Sequence, residues 1–463
     1  MKGLNQAVKI GVAPTIRDSS FGIDEAIRYK RLIIDKLNQL HLNYVDIDWL
    51  NEDGLLFRCK DVDAIADKFV NEKVDCLFIP HCNFGSENAV AALAKKMNKP
   101  LLIWGPRDEA PFDNIGNLRH TQCGMFASSK VLRRQGVPFT YIENSRVDSH
   151  IFREGLTNFI AAARVVKSFK NMRIGQISTR PGAFTSVVCN EGELLEKYGI
   201  QIEPIDLTEL IKSMNILIET NDIRLHEFEH KIKEEMVFEG IESISMNKLA
   251  AMKYAIEDWA AEYSLSAVAF QCWNALQDAI GCVPCYINGV LTGEGLPVVC
   301  ETDICGAVTS VLAQAAKESI EPIFFADLTV RHPTNDNAEL LWHCGPFPPE
   351  LARDSSQRLL SRHYLQNSCC PALGEFEIKH GEITICRFDG DHGEYSFFMA
   401  LGKGIEGPKS RGTYLWAEFC DWPYIEKKII NGPFIHHVTG VYGNIIPIMT
   451  EALKYTPGIK IDV

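Results

Sequence analysis

A chain of 463 residues is too long for a single hydrophobic core, so two or three domains are expected. Its 46% hydrophobic and 23% charged residues fit an ordinary globular protein, and no apolar run approaches bilayer-spanning length, which argues against a membrane protein. The net charge of −13 argues against nucleic acid as a partner but leaves a small anionic substrate open, because a local arginine cluster can override net charge.

The first third alternates short apolar runs with amphipathic stretches. Val8–Ala13, Tyr44–Ile47, Cys76–Pro80 and Leu101–Trp104 read as strands. Asp24–Leu40, Val62–Val70, Asn88–Met97 and Cys123–Gln135 read as the intervening helices, and Phe139–Ile142 as a further strand. This rhythm implies a parallel sheet covered by helices. A long helix over Phe152–Phe169 leads to a second unit of the same kind. Its strands are expected at Met172–Ile177, Ile202–Ile205 and Ala267–Phe270, with helices at Glu191–Tyr198, Leu207–Met214 and Met246–Tyr263. Past residue 320 the pattern changes to β-like runs, among them Ile323–Leu328, Leu340–His343, Glu382–Phe388 and Tyr395–Leu401, which suggest an antiparallel sheet or barrel. The fold class expected is α/β. Two Rossmann- or flavodoxin-like parallel-sheet domains (1–170 and 171–320, the second carrying the first metal carboxylate) precede a C-terminal antiparallel, β-barrel-like domain (321–463).

Met1–Gln6 leads into the first strand with no signal peptide, so a cytoplasmic location is expected and the 15 cysteines read as reduced thiols. Cys282-Val283-Pro284-Cys285 is a lone CxxC without a second pair at zinc spacing. His226-Glu227-Phe228-Glu229-His230 matches the zincin pattern, but the helix runs on into Lys231-Ile232-Lys233-Glu234-Glu235 and reads as a solvated face. Gly402–Gly407 has the spacing of a dinucleotide loop but lies in the β-rich region, where a turn is the better reading.

Four polar residues come out of, or just after, strand-like apolar runs: Glu301 after Val298-Val299-Cys300, Asp327 after Ile323–Ala326, His343 after Leu340–Trp342, and His437 after Phe434–His436. A buried charge is costly unless it is paired or bound to metal. Two carboxylates and two imidazoles suit one divalent cation, Mn²⁺ or a similar ion. Glu301 precedes a helix-like run, with Thr302 or Asp303 as its cap. Such a site can hold two neighbouring oxygens of a sugar, acidify the C2 proton and pass protons between two carboxyl groups through a cis-enediol. Glu301 and Asp327 are the candidate catalytic pair; His343 and His437 would serve as neutral ligands.

These segments resemble the L-fucose isomerase and L-arabinose isomerase superfamily, in its shorter fucose-isomerase-like branch. Cys300-Glu301-Thr302-Asp303 and Phe325-Ala326-Asp327 are similar to its two metal carboxylates. Trp342-His343-Cys344-Gly345 and His436-His437-Val438-Thr439-Gly440 are similar to its histidine segments, and Ile10–Thr15 and His81–Glu87 are also family-like. The resemblance implies Mn²⁺-dependent aldose–ketose isomerisation of a deoxy or modified aldose. It also implies a homotrimer or homohexamer with the active site at a subunit boundary. Arg17, Asn83 and Phe84 are then substrate contacts supplied by a neighbour, and Gln271, Trp273 and Trp416 contacts from the remaining domains. The branch includes isomerases of modified sugars such as sulfoquinovose, and an anionic sugar would call for Arg17, Arg180 or Arg331 as a clamp. A non-catalytic sugar-binding protein is the alternative of a different class.

Overall fold

The computed structural model describes residues 7–18, 22–109, 119–170, 172–238, 243–273, 275–317, 319–364 and 370–463; the expected N-terminal lead-in Met1–Gln6 lies outside them. They fall into two compact units. Of the described residues, one unit holds 7–167 together with Pro447–Pro457, and the other holds Ser168–Ile446 with Gly458–Val463.

In the first unit, β1 (Lys9–Val12), β2 (Asn43–Val45), β3 (Cys76–Pro80), β4 (Leu101–Trp104) and β5 (Thr140–Tyr141) form a parallel sheet in the order β2-β1-β3-β4-β5. This is the flavodoxin-like order, with its switch point between β1 and β3. Successive side chains of a strand face opposite ways. Cys76 and Phe78 pack with helices α1 (Ile23–Gln39) and α5 (His150–Phe169), whereas Leu77 and Ile79 pack with α2 (Val62–Asn71) and α3 (Glu87–Met97). Both faces are covered there, so β3 and β4 are apolar throughout rather than alternating. Helix α4 (Thr121–Arg134) completes the layer. From the chain's C-terminal segment, Glu451 and Tyr455 bind the Thr140 hydroxyl at 2.8 and 2.9 Å, and Tyr455 also donates to Leu101 O at 2.9 Å.

The second unit begins with β6 (Arg173–Ile177), β7 (Gln201–Ile205), β8 (Val237–Phe238), β9 (Ala267–Phe270) and β10 (Val298–Val299). All but β8 form a parallel sheet in the order β10-β9-β6-β7. Helices α6 (Glu191–Tyr198), α7 (Leu207–Glu219), α8 (Ile223–Glu235), α9 (Ser243–Glu262), α10 (Ala275–Ile280), α11 (Cys285–Gly293) and α12 (Ile304–Ala316) accompany them. Helix α8 carries the zincin-like pattern. Its Leu225, Phe228 and Ile232 face inward while His226 and His230 are exposed, so the bland reading of that motif is the correct one.

The remaining strands are β11 (Phe324–Arg331), β12 (Ala338–His343), β13 (Leu359–Arg362), β14 (Pro371–Glu377), β15 (Glu382–Asp391), β16 (Glu394–Ile405), β17 (Thr413–Phe419), β18 (His437–Tyr442) and β19 (Ile459–Asp462). Six of them pair antiparallel in a closed ring, β11-β12-β17-β16-β15-β18 and back to β11. Closure removes the unpaired edges that an open sheet would present. The ring is lined on one face by Phe324, Ala326, Leu341, Leu415, Ala417, Ile383, Ile385 and Phe398. Gly402 and Gly404 lie in β16, inside this barrel, where no dinucleotide loop exists. Helix α12 is buried on almost every side because it runs between the parallel sheet and barrel strands β15 and β18.

Gly440 on β18 stands opposite Phe324 on β11, and a Cβ there would meet the Phe324 ring at 2.1 Å. Gly440→Ala is expected to destabilise the protein by about 1–3 kcal/mol through overpacking, seen as a lower thermal midpoint. Glu339 on β12 shares a strand face with Leu341 and is only 5% exposed. Burial pushes its carboxyl up to about 7, with Arg331 opposing. The folded state therefore holds this proton where the unfolded chain has lost it, and stability falls as pH rises from the ordinary carboxyl range to about 7. Glu339→Gln is expected to be more stable than the parent at pH 8, by on the order of 2 kcal/mol. That gain should vanish below pH ~4.5 in denaturant titrations.

Candidate metal centre

The barrel register places three of the four expected donors side by side. Asp327 on β11 pairs with His437 on β18 and with Trp342 on β12, and His343 is the next residue along β12. The fourth donor, Glu301, follows β10 at the carboxyl edge of the parallel sheet, where α/β folds bind ligands. Glu301 and the β-branched Thr302 both take left-handed backbone angles, φ 56° and 57°. A conformation costing about 1–3 kcal/mol per residue persists only where the surroundings enforce it. Here the Thr302 N–H bonds Phe270 O at 3.2 Å and the Asp303 N–H bonds Cys300 O at 3.2 Å, which locks the turn that aims Glu301.

Glu301 Oε2 lies 3.6 Å from His343 Nε2 and 3.8 Å from His437 Nε2. Asp327 Oδ1 lies 3.8 and 3.5 Å from the same two nitrogens. Glu301 Oε2, Asp327 Oδ1 and His343 Nε2 are buried, and none has a hydrogen-bond partner among the described residues. Three orphaned polar atoms converging on one point are costly for a protein to keep. Four donors about 2.2 Å from a common ion in tetrahedral array would be separated by about 3.5 Å, close to these spacings. The residues present therefore fit a divalent cation held by oxygen and imidazole donors.

Each donor is oriented from behind. Trp273 Nε1 donates to Glu301 Oε1 at 2.9 Å, and the Cys272 thiol lies 3.6 Å from the same oxygen. His437 Nδ1 donates to Asp303 Oδ2 at 2.8 Å, which leaves the Nε2 lone pair facing Glu301 and Asp327. Asp303 is fully buried. Its Oδ1 caps α12 by accepting from the Gly306 N–H at 2.9 Å, and the buried Arg387 forks onto both Asp303 and Asp389. His343 Nδ1 rests against Cys344, 2.9 Å from its backbone nitrogen.

The charges set the two carboxyls apart. Burial works against ionisation of Glu301, but the neighbouring His343 and His437 outweigh it and hold the carboxyl down at about 2. At Asp327 burial prevails over the same histidines and pushes the carboxyl up. Burial opposes charge on His343 and His437 as well. The carboxylates around them nonetheless raise both above the ordinary imidazole range. Asp303 is held well below the carboxyl range because Arg387 and His437 overcome its burial.

The other expected site residues separate into two groups. Gln271 and Trp273 follow β9 at the same sheet edge as Glu301, and Gln271 Oε1 is buried without a hydrogen-bond partner among the described residues. Trp416 lies opposite Leu340 on the barrel, its indole N–H given to Pro408 O at 2.8 Å, in a cluster with Tyr414 and Trp342. Arg17, Asn83 and Phe84 belong to the first unit. There they meet one another at the switch point: Asn83 Oδ1 accepts from the Arg17 N–H at 2.9 Å, and the Arg17 guanidinium lies 4.8 Å from the Phe84 ring centroid. Two residues escaped the sequence reading. Asp303 was seen only as a helix cap. Arg387 had a signal in the sequence, a lone cation inside the apolar run of β15.

Residues 11–170 match the model of the fucose/sulfoquinovose isomerase N-terminal domain. The chain is also similar to a sulfoquinovose isomerase of Priestia aryabhattai, 24% identical over 398 residues that cover 85% of this chain and 86% of that one. A sulfoquinovose isomerase of Alkalicoccus urumqiensis is 24% identical over 350 residues, 75% of this chain and 76% of its own. Over residues 11–170 the chain thus carries a fucose/sulfoquinovose isomerase N-terminal domain, and along most of its length it is similar to sulfoquinovose isomerases. These likenesses indicate an isomerase, an intramolecular oxidoreductase.

Asp303→Asn removes the anion behind a histidine of this isomerase and strands Arg387. It is expected to weaken Mn²⁺ binding by about 10–100-fold by calorimetry. It should also cost about 3–5 kcal/mol of stability, because a buried charge loses its partner.

Proposed function

We propose that the protein is a metal-dependent aldose–ketose isomerase working through a cis-enediol, with Glu301, Asp327, His343 and His437 holding a divalent cation of the Mn²⁺ type. The convergence of their unpaired buried atoms carries this reading. When bound, such a cation supplies Lewis acidity, making the C2 hydrogen of an open-chain sugar removable. The protein's own groups do the rest. Glu301 stays ionised and is steadied through Oε1 by Trp273, and its carboxylate is the group that takes the C2 proton and returns it at C1. Asp327, with the higher proton affinity, shuttles the proton between the O1 and O2 hydroxyls. His343 and His437 act as ligands. The barrel wall and α12 behind them keep bulk water from Glu301, His343 and His437, while Asp327 stays partly exposed.

For the substrate, similarity to sulfoquinovose isomerases along most of the chain favours an anionic sugar over a neutral deoxy sugar. Arg180 supports this reading. It follows β6 at the same carboxyl edge, in the loop whose Phe184 packs against Trp273 with ring centroids 5.5 Å apart. Arg331 serves it less well, being tied to Glu426. Arg17, with Asn83 and Phe84, would reach the sugar from a neighbouring copy in a trimer or hexamer.

A panel of sulfoquinovose, L-fucose, L-arabinose and glucose 6-phosphate, followed by NMR with Mn²⁺ present, tests both levels. Ketose formation is expected from sulfoquinovose at least about tenfold faster than from the neutral sugars, and chelator should abolish it. Glu301→Gln should stop exchange of the C2 hydrogen with solvent deuterium. Persistent exchange in that variant, or activity indifferent to chelator, would overturn the mechanism. Preference for a neutral aldose would overturn only the choice of substrate.

A further inference from the structure

Behind the four-donor centre lies a second group of ligating side chains that the proposed isomerisation does not use. Cys285 is the first residue of α11, Cys344 follows β12 and His363 follows β13. All three are buried, at 2%, 6% and 4% exposure, and their ligand atoms lie within 4.8 Å of one another. Cys285 Sγ is 3.7 Å from Cys344 Sγ, and His363 hydrogen-bonds to the Cys344 sulfur. The sulfurs are two separate thiols. Two thiolates bound to one tetrahedral ion at about 2.3 Å stand about 3.8 Å apart, so the observed spacing is that of a metal-bridged pair. The backbone holds them there. Gly345, next to Cys344, takes a φ of 115°, and a Cβ on it would strike Gly374 N at 2.7 Å, so β12 turns out of the barrel directly against β14. Cys282, the other half of the CxxC, takes no part; its thiol lies 4.0 Å from Ser245 O.

We propose that Cys285, Cys344 and His363 form a second metal site that takes a thiophilic divalent ion, zinc above all, distinct in chemistry from the oxygen-rich centre. Sulfur and imidazole donors select Zn²⁺ where carboxylates select Mn²⁺. Binding forms two metal–sulfur bonds and one metal–nitrogen bond and releases the thiol protons to solvent, with no change in oxidation state. Three protein donors leave one tetrahedral corner for water. The ion would tie the start of α11 to the ends of β12 and β13.

The test uses the full-length protein, produced and dialysed with Zn²⁺ and Mn²⁺ present. Elemental analysis is expected to find about one zinc per chain, retained through a chelator wash that strips manganese. X-ray absorption at the zinc edge should show two sulfur neighbours at about 2.3 Å. Cobalt substitution should give thiolate-to-cobalt charge-transfer absorption. The double variant Cys285→Ala/Cys344→Ala should lose these signals, while Cys282→Ala, which removes a nearby buried thiol outside the cluster, should keep them. Zinc with only oxygen and nitrogen neighbours, no retained zinc in the folded parent protein, or a Cys285–Cys344 disulfide found by mass spectrometry would each overturn the proposal. None of these outcomes bears on the isomerase reading, which is decided by Mn²⁺-dependent turnover.

Discussion

Glu301 and Asp327 point unpaired oxygens at two imidazoles inside the protein, and the second unit is arranged so that this is tolerable. Charges are not held there by attraction alone, because burial opposes ionisation at every one of these groups. Rigid backbone on two sides keeps them close. The closed barrel fixes Asp327 beside His437 through register, and the strained turn after β10 fixes Glu301 through the bonds of Thr302 and Asp303. A collapsible site would let the carboxylates swing to nearer donors and satisfy themselves. This one cannot, so its unpaired atoms are left for a ligand from outside.

Asp303 connects these two supports. One of its oxygens starts α12, the other orients His437, and Arg387 from β15 neutralises it. A single buried carboxylate thus couples the helix between sheet and barrel to the tautomer of His437, a ligand of the proposed metal centre. Truncating one member of such a network leaves a charge stranded in low dielectric, so Asp303 bears on both stability and metal affinity.

The two carboxyls illustrate how position divides labour between similar groups. Glu301 and Asp327 share the same histidines, yet one is drawn to the ionised form and the other keeps its proton more tightly. At Glu301 the two histidines, with the Trp273 indole N–H as a lesser aid, outweigh burial; at Asp327 burial prevails and the Glu301 charge adds to it. Isomerisation by proton transfer needs this inequality between two acids within reach of one sugar.

Much of this was legible in the chain itself. The βαβ rhythm of the first third, the switch to short strands after residue 320, and Glu301, Asp327, His343 and His437 at the ends of apolar runs all follow from local patterning. A polar group at the end of a buried strand is conspicuous in one dimension. The grouping of Arg17 with Asn83 and Phe84 was implied by the family resemblance alone, and the structure joins the three at the switch point. Tertiary structure alone decided that β16 pairs with both β15 and β17 and so closes the barrel, that Asp303 is more than a cap, and that Arg387 is its counterion. It also decided that Cys285 leaves its CxxC partner for Cys344. These depend on which strands become neighbours and on which side of a turn a side chain emerges. Such facts are fixed by packing over separations of tens to hundreds of residues, where sequence periodicity carries no information.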